Sequence, residues 1–166
     1  MRSYITLVLR AGVAMAILTG LFGQIVVIPG VAASEVESFP PYAPYELPYV
    51  TLAVLGVACV QVALVAVWVL LAMVERDAIF TRRAFFWVDV IIGATLAASL
   101  ITAGVTGHLL VDSNIPSPAD GMELIGALGA AVVTTAGGVG FALLLILMRG
   151  LLRKAADLQS EMSEVV

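Results

Sequence analysis

The feature that constrains this chain most is the absence of charge from the middle of four long apolar blocks. The blocks run from about 7 to 28, 49 to 74, 86 to 111 and 122 to 148, and the central two-thirds of each holds no Lys, Arg, Asp or Glu. A hydrocarbon core is crossed by ~20 helical residues at ~1.5 Å rise each, so every block is long enough to span it. Backbone N–H and C=O groups find no water in lipid and must bond within the segment. The alternation of a membrane barrel is missing, so the spans are expected to be α-helices. Composition agrees: 61% of residues are hydrophobic and 12% charged, against about 45–50% and about 25% in soluble domains.

The first block shares features with a secretory signal, since Arg2 and Arg10 lead into it and Val31-Ala32-Ala33 offers small residues for cleavage. It is longer than the usual core of about 7–15 residues, and Pro29-Gly30 is placed to end it where a span would leave the bilayer. A retained first span is therefore expected.

Orientation follows from the basic residues. Arg2 and Arg10 flank the first block, Arg76, Arg82 and Arg83 occupy the connection between the second and third, and Arg149, Arg153 and Lys154 follow the fourth. In a four-span topology all of them fall on one side, which the positive-inside rule makes cytoplasmic. The other two connections, 29–48 and 112–121, lack Lys and Arg but carry Glu35, Glu37, Glu46, Asp112 and Asp120. The expected architecture is an all-α integral membrane protein of the cell inner membrane, with both termini cytoplasmic. Residues 1–148 form an antiparallel four-helix transmembrane bundle, and 149–166 form a cytoplasmic helical extension.

The first outer connection interleaves Pro29, Pro40, Pro41, Pro44 and Pro48 with Phe39, Tyr42, Tyr45 and Tyr49. That pattern predicts extended chain with aromatic rings at the headgroup level. The second is a turn cluster in which Asp120 is placed to cap the fourth helix.

Helices in lipid approach closely through small side chains repeated on one face. Gly126, Ala130, Thr134, Gly138 and Ala142 make such a stripe on the fourth block, and Gly12, Ala16 and Gly20 make one on the first. Each is either a seam within the chain or a face between copies. Gln24 and Gln61 are candidates for hydrogen bonds between helices. Asp89 is the notable intramembrane charge: at its depth it either reaches interfacial water or pairs with Arg82, Arg83 or Arg149, or it takes part in function. His108 lies ~28 Å from it along the same helix, too far for a direct proton relay.

No catalytic constellation, zinc motif or phosphate loop occurs, and the lone Cys59 and lone His108 give neither a disulfide nor a metal or haem site. Neither an enzymatic activity nor a cofactor is expected.

The inner segments are more distinctive. Ile79-Phe80 precedes Thr81, an N-cap candidate that lets Phe80 pack back as a staple, and the tail spaces Leu151, Leu158, Met162 and Val165 along one side of a projecting helix. The string from Ile79-Phe80-Thr81 to Ile92-Gly93, with Ala155, Leu158, Glu161 and Val165-Val166, resembles the bacterial four-span family known as domain of unknown function twenty-nine seventy-five. Arg83 and Ala84 stand where its members typically carry a Glu-Asn pair. Members are often encoded beside a small Cro-type helix-turn-helix protein, so the resemblance implies a membrane partner for a DNA-binding regulator; it transfers no catalytic residue.

These features lead to three expectations for function. The first is a non-enzymatic membrane protein that binds a cytoplasmic regulator through Arg76, Phe80, Arg82, Arg83, Arg153, Lys154 and Leu158, without touching nucleic acid itself. The second is a transporter or channel subunit using Asp89, Gln61 and the glycine-rich fourth helix. The third is an accessory subunit of a larger membrane complex, or a self-associating protein.

Overall fold

The computed structural model describes residues 2–75, 82–111 and 122–164 and builds them from helices. In chain order these are α1 (Arg2–Phe22), a π turn (Gly23–Val27), α2 (Ile28–Ser38), a 3-10 turn (Pro40–Tyr42), α3 (Ala43–Glu75), α4 (Arg82–Val111) and α5 (Met122–Glu164). Four helical stretches are long and apolar enough to cross a membrane: Tyr4–Ser38, Pro40–Glu75, Arg83–Val111 and Leu128–Lys154.

The first outer connection is where expectation and structure part. Pro29-Gly30 does not end the first span, and 29–48 is helical rather than extended, broken only at Phe39, where φ is −140° and ψ 86°. The reason lies in the π turn. Ile28 N–H bonds to Gly23 O, five residues back, so the ladder has already left the i−4 pattern just before Pro29, where a missing N–H would interrupt it. Pro44 sits in the first turn of α3, where N–H groups lack intrahelical partners in any case. Phe39 N–H closes α2 on Glu35 O at 2.8 Å, and the Phe39 and Tyr42 rings then meet edge to face at 4.8 Å. Thr81 and Phe80, expected to cap α4, and Asp120, expected to cap α5, lie outside the described residues.

Burial is inverted relative to a soluble domain. The buried apolar residues, Ala66, Ala84, Ile91, Ile92 and Ala142, are few and mostly small, while Ser99 and Thr106 are buried with them. Large apolar side chains face outward, Val133 at 72% and Leu147 at 65% exposed. In water such surfaces would drive aggregation; facing acyl chains they are at equilibrium, and the helices must adhere by packing and hydrogen bonds instead.

Two seams show how. Between the first span and α3, Gln24 Nε2–H of the π turn donates to Val54 O at 3.1 Å and Gln61 Nε2–H of α3 reaches Ile17 O at 3.5 Å, so each span sends one amide to the other's backbone. Gly20 makes room for this: a Cβ there would stand 2.9 Å from Gln61 Nε2. Between α4 and α5, the covered positions Leu128, Ala131, Thr135, Gly138, Ala142, Leu145 and Arg149 recur at alternating steps of three and four, the spacing of a helix–helix seam. Gly138 lies directly against Ser99 Oγ, which donates to Thr95 O at 3.0 Å. Thr95, Thr102 and Thr106 likewise bond the carbonyl four residues back, at 2.8, 3.0 and 2.8 Å.

The pairs Gln61 with Ile17 and Gln24 with Val54 make the first span and α3 antiparallel, and Ser99 with Gly138 together with Asp89 with Arg149 do the same for α4 and α5. Among the described residues, close backbone approach nevertheless joins chain neighbours only: α1 and α2 with α3, α3 with α4, and α4 with α5. The four spans form an open row rather than a bundle closed by α1 on α5. The two small-residue stripes therefore do not meet. Gly20 and Gly138 sit in seams with chain neighbours, Gly12 and Gly126 have open space around them, and Ala16, Ala130 and Thr134 are exposed.

A glycine-to-alanine change within a helix ordinarily stabilises by about 0.5–1 kcal/mol. Gly138→Ala should instead destabilise by about 1 kcal/mol, because the new methyl displaces Ser99 Oγ from Thr95 O. Gly137→Ala, which meets open space, should show the ordinary gain, and Gly138→Ala in a Ser99→Ala background should recover it. Thermal unfolding in detergent followed by circular dichroism reads all three.

Candidate functional site

The basic side chains inside the spans, together with Glu75 and Asp89, gather at one end of the row, while Glu35, Glu37 and Glu46 lie toward the other. Arg10 lies two turns into α1, and its Nη2 pairs with Glu75 Oε2 at the last residue of α3, 2.7 Å away. Its guanidinium also stands over the Trp68 ring, 5.9 Å from the centroid, within the range where a cation is held by the ring face. On the neighbouring seam, Arg149 Nη2 donates to Asp89 Oδ2 at 2.6 Å, joining α5 to α4. Because α4 begins at Arg82, Asp89 lies about two turns inside it, ~10 Å along the axis, deeper than the single turn its sequence position had implied.

Each pair clamps one helix seam and cancels one charge against another, which is the arrangement that lets ionised groups sit at this depth. The Nε atoms of Arg10 and Arg149 are both buried without a hydrogen-bond partner among the described residues, so each guanidinium is held by its outer nitrogens. The four side chains keep about a third to under a half of their surface open. Arg83, Arg153 and Lys154, at the same end, are exposed. Arg82 and Leu158 are placed by their backbone on α4 and α5, while Arg76 and Phe80 lie outside the described residues.

The opposite end is aromatic. The Tyr49 hydroxyl and His108 Nδ1 are 3.0 Å apart across α3 and α4, their rings meet edge to face at 6.1 Å, and Tyr45 adds a further edge contact to Tyr49 at 6.5 Å. Asp89 and His108 thus belong to different ends of α4, and Gln61 belongs to the α1–α3 seam. The polar residues singled out in the sequence occupy three separate places and do not form one site. Cys59 is half-buried in α3, and among the described residues no three His, Cys, Asp or Glu side chains gather as a metal-binding group.

Sequence reasoning named Asp89 and included Arg149 among its partners. It missed the Arg10, Glu75 and Trp68 cluster, although Arg10 stood inside an apolar block as an intramembrane charge. It also missed the stripe of Thr95, Ser99, Thr102 and Thr106, whose spacing of four, three and four marks one face of α4.

Four apolar helices with outward-facing hydrocarbon side chains and paired charges at one end define a multi-pass membrane protein. The chain belongs to the family of proteins of unknown function DUF2975, whose model matches residues 30–166. The matched range takes in Asp89 and Arg149 and begins after the π turn. No curated protein and no solved structure matches the chain.

The ionic clamp between α4 and α5 has a measurable signature. Asp89→Asn and Arg149→Gln should each lower stability, because each leaves the opposite charge unpaired at membrane depth, and the double substitution should lower it by less than the sum. A coupling of about 1–2 kcal/mol is expected from a double-mutant cycle of unfolding in detergent.

Proposed function

We propose that this is a non-enzymatic membrane protein that binds a cytoplasmic partner, a small helix-turn-helix regulator, through its basic end and the projecting part of α5, and so holds that regulator at the inner membrane. The observation that carries the reading is the length of α5. It runs unbroken for 43 residues, and its apolar stretch ends at Lys154, so residues 155–164 continue ~15 Å of helix past the span. A helix that outlasts its lipid contact offers a rigid surface to something other than lipid.

Charge supports the side and the partner. Every Lys and Arg of the chain falls at the row's ionic end or in the segments leading from it, and short basic connections stay on the cytoplasmic face. Arg83, Arg153 and Lys154 are open there, with Leu151 and Leu152 exposed beside them. Members of the family are often encoded next to a Cro-type helix-turn-helix protein, which makes that protein the first partner to test. A transport role draws less support, because the polar residues the sequence singles out for it are engaged, Asp89 in an ion pair and Gln61 between helices, and the α4 hydroxyls close on their own carbonyls, although Thr135 Oγ1 is buried without a partner among the described residues.

Co-purification of the full chain with the neighbouring helix-turn-helix protein is expected to succeed, and removal of residues 155–166 is expected to weaken it at least tenfold. Undiminished capture by the truncated chain would overturn the docking role of α5. Orientation is checked separately: a green fluorescent protein fused after Val166 should fluoresce, and alkaline phosphatase at the same place should be inactive.

A further inference from the structure

A groove of about 440 Å³ opens between α1 and α3, lined by Ala14, Ile17, Leu18, Val65 and Trp68. Its origin is in the seam. At Gly20 the two helices touch through Gln61, whereas at the ionic end they are linked through the long side chains of Arg10, Glu75 and Trp68. The groove occupies the gap between these two levels. Arg10 lies four residues before Ala14 and so on the same face of α1, ~6 Å further toward the basic end. Trp68 serves both places, forming part of the groove wall and the platform beneath the Arg10 guanidinium.

An apolar furrow inside the span, topped by a cation and an indole at headgroup depth, matches a phospholipid in both chemistry and order. We propose that the groove holds one acyl chain of an anionic phospholipid whose phosphate meets Arg10. The guanidinium has five N–H donors; Nη2 serves Glu75 and Nε is covered, and with 31% of the side chain open this leaves Nη1 to donate to a phosphate oxygen. Glu75 cancels much of the Arg10 charge in the unoccupied arrangement, and the headgroup competes with that carboxylate for the same cation. An anionic headgroup is favoured over a zwitterionic one because the groove leads to a guanidinium, and basic sites between helices at a membrane face recruit anionic lipids. The inference is independent of the regulator-binding role, since it concerns α1 and α3 and needs no part of α5.

The test uses tryptophan emission. Trp68 and Trp87 are the only indoles, so the full chain carrying Trp87→Phe reports from the groove alone. It is reconstituted into phosphatidylcholine vesicles containing phosphatidylglycerol, with dibrominated acyl chains placed on one lipid or the other. Brominated phosphatidylglycerol should quench Trp68 at about fivefold lower mole fraction than brominated phosphatidylcholine, the ratio given by one basic contact near the surface. Arg10→Gln should bring that preference to about one, and Glu75→Gln should raise it above the parent. Ala14→Leu, which fills the groove while leaving Arg10 in place, should reduce quenching by both lipids. Equal quenching by the two lipids in the parent protein reports bulk lipid alone and overturns the proposal. So does a preference that survives Arg10→Gln; where that variant fails to fold, a preference unmoved by Glu75→Gln has the same force. Loss of quenching by either lipid would point to a second polypeptide in the groove and would equally reject it.

Discussion

Everything in this molecule answers to one requirement: a backbone in hydrocarbon must close its own hydrogen bonds. The first span shows the requirement at its most demanding. Pro29 removes a donor inside a continuous helix of the span Tyr4–Ser38, and the five-residue closure of Ile28 on Gly23 O immediately precedes it. The same rule governs the hydroxyls of α4, which turn back to carbonyls of their own helix, and the two glutamines, which send their amide hydrogens into the backbone of the facing helix. The two glutamines fasten helix to helix, each such bond worth on the order of 0.6 kcal/mol in lipid.

Electrostatics divides the molecule along its axis. One end carries two ion pairs, Arg10 with Glu75 and Asp89 with Arg149, and the other carries Tyr45, Tyr49 and His108 in a chain of edge contacts. Paired charges and amphipathic rings both belong where hydrocarbon gives way to headgroups, so the two ends anchor the row at its two boundaries. Arg83, Arg153 and Lys154 lie exposed at the same end as the two ion pairs.

The existence of four apolar helices was legible because it rests on length and absence of charge, two properties that survive any packing arrangement. The ends were not. Pro29, Pro40, Pro41 and Pro44 read as a break in helical structure, yet a π turn and first-turn positions accommodate them, and neither is visible in a hydropathy pattern. Asp89 and its depth were only half legible, because its depth depends on where α4 starts, and that start lies earlier than the apolar block. The small-residue stripes were visible as patterns but not as contacts. Spacing names a face of a helix, whereas which helix meets that face depends on chain order, and here Gly20 and Gly138 meet α3 and α4 rather than each other.

The chain-neighbour order of the spans makes the fold one-dimensional: each helix is fastened to the one before it and to the one after it, and no long-range closure ties the first to the last. Stability in such an array is close to a sum of adjacent links, as in solenoid repeats, so damage at the Ser99 and Gly138 contact stays local and leaves the glutamine link untouched. Assembly can follow synthesis, with each new helix finding the preceding one already inserted. The row also has two lateral margins, α1 and α5, each free along its length to meet acyl chains or another polypeptide without disturbing anything already joined.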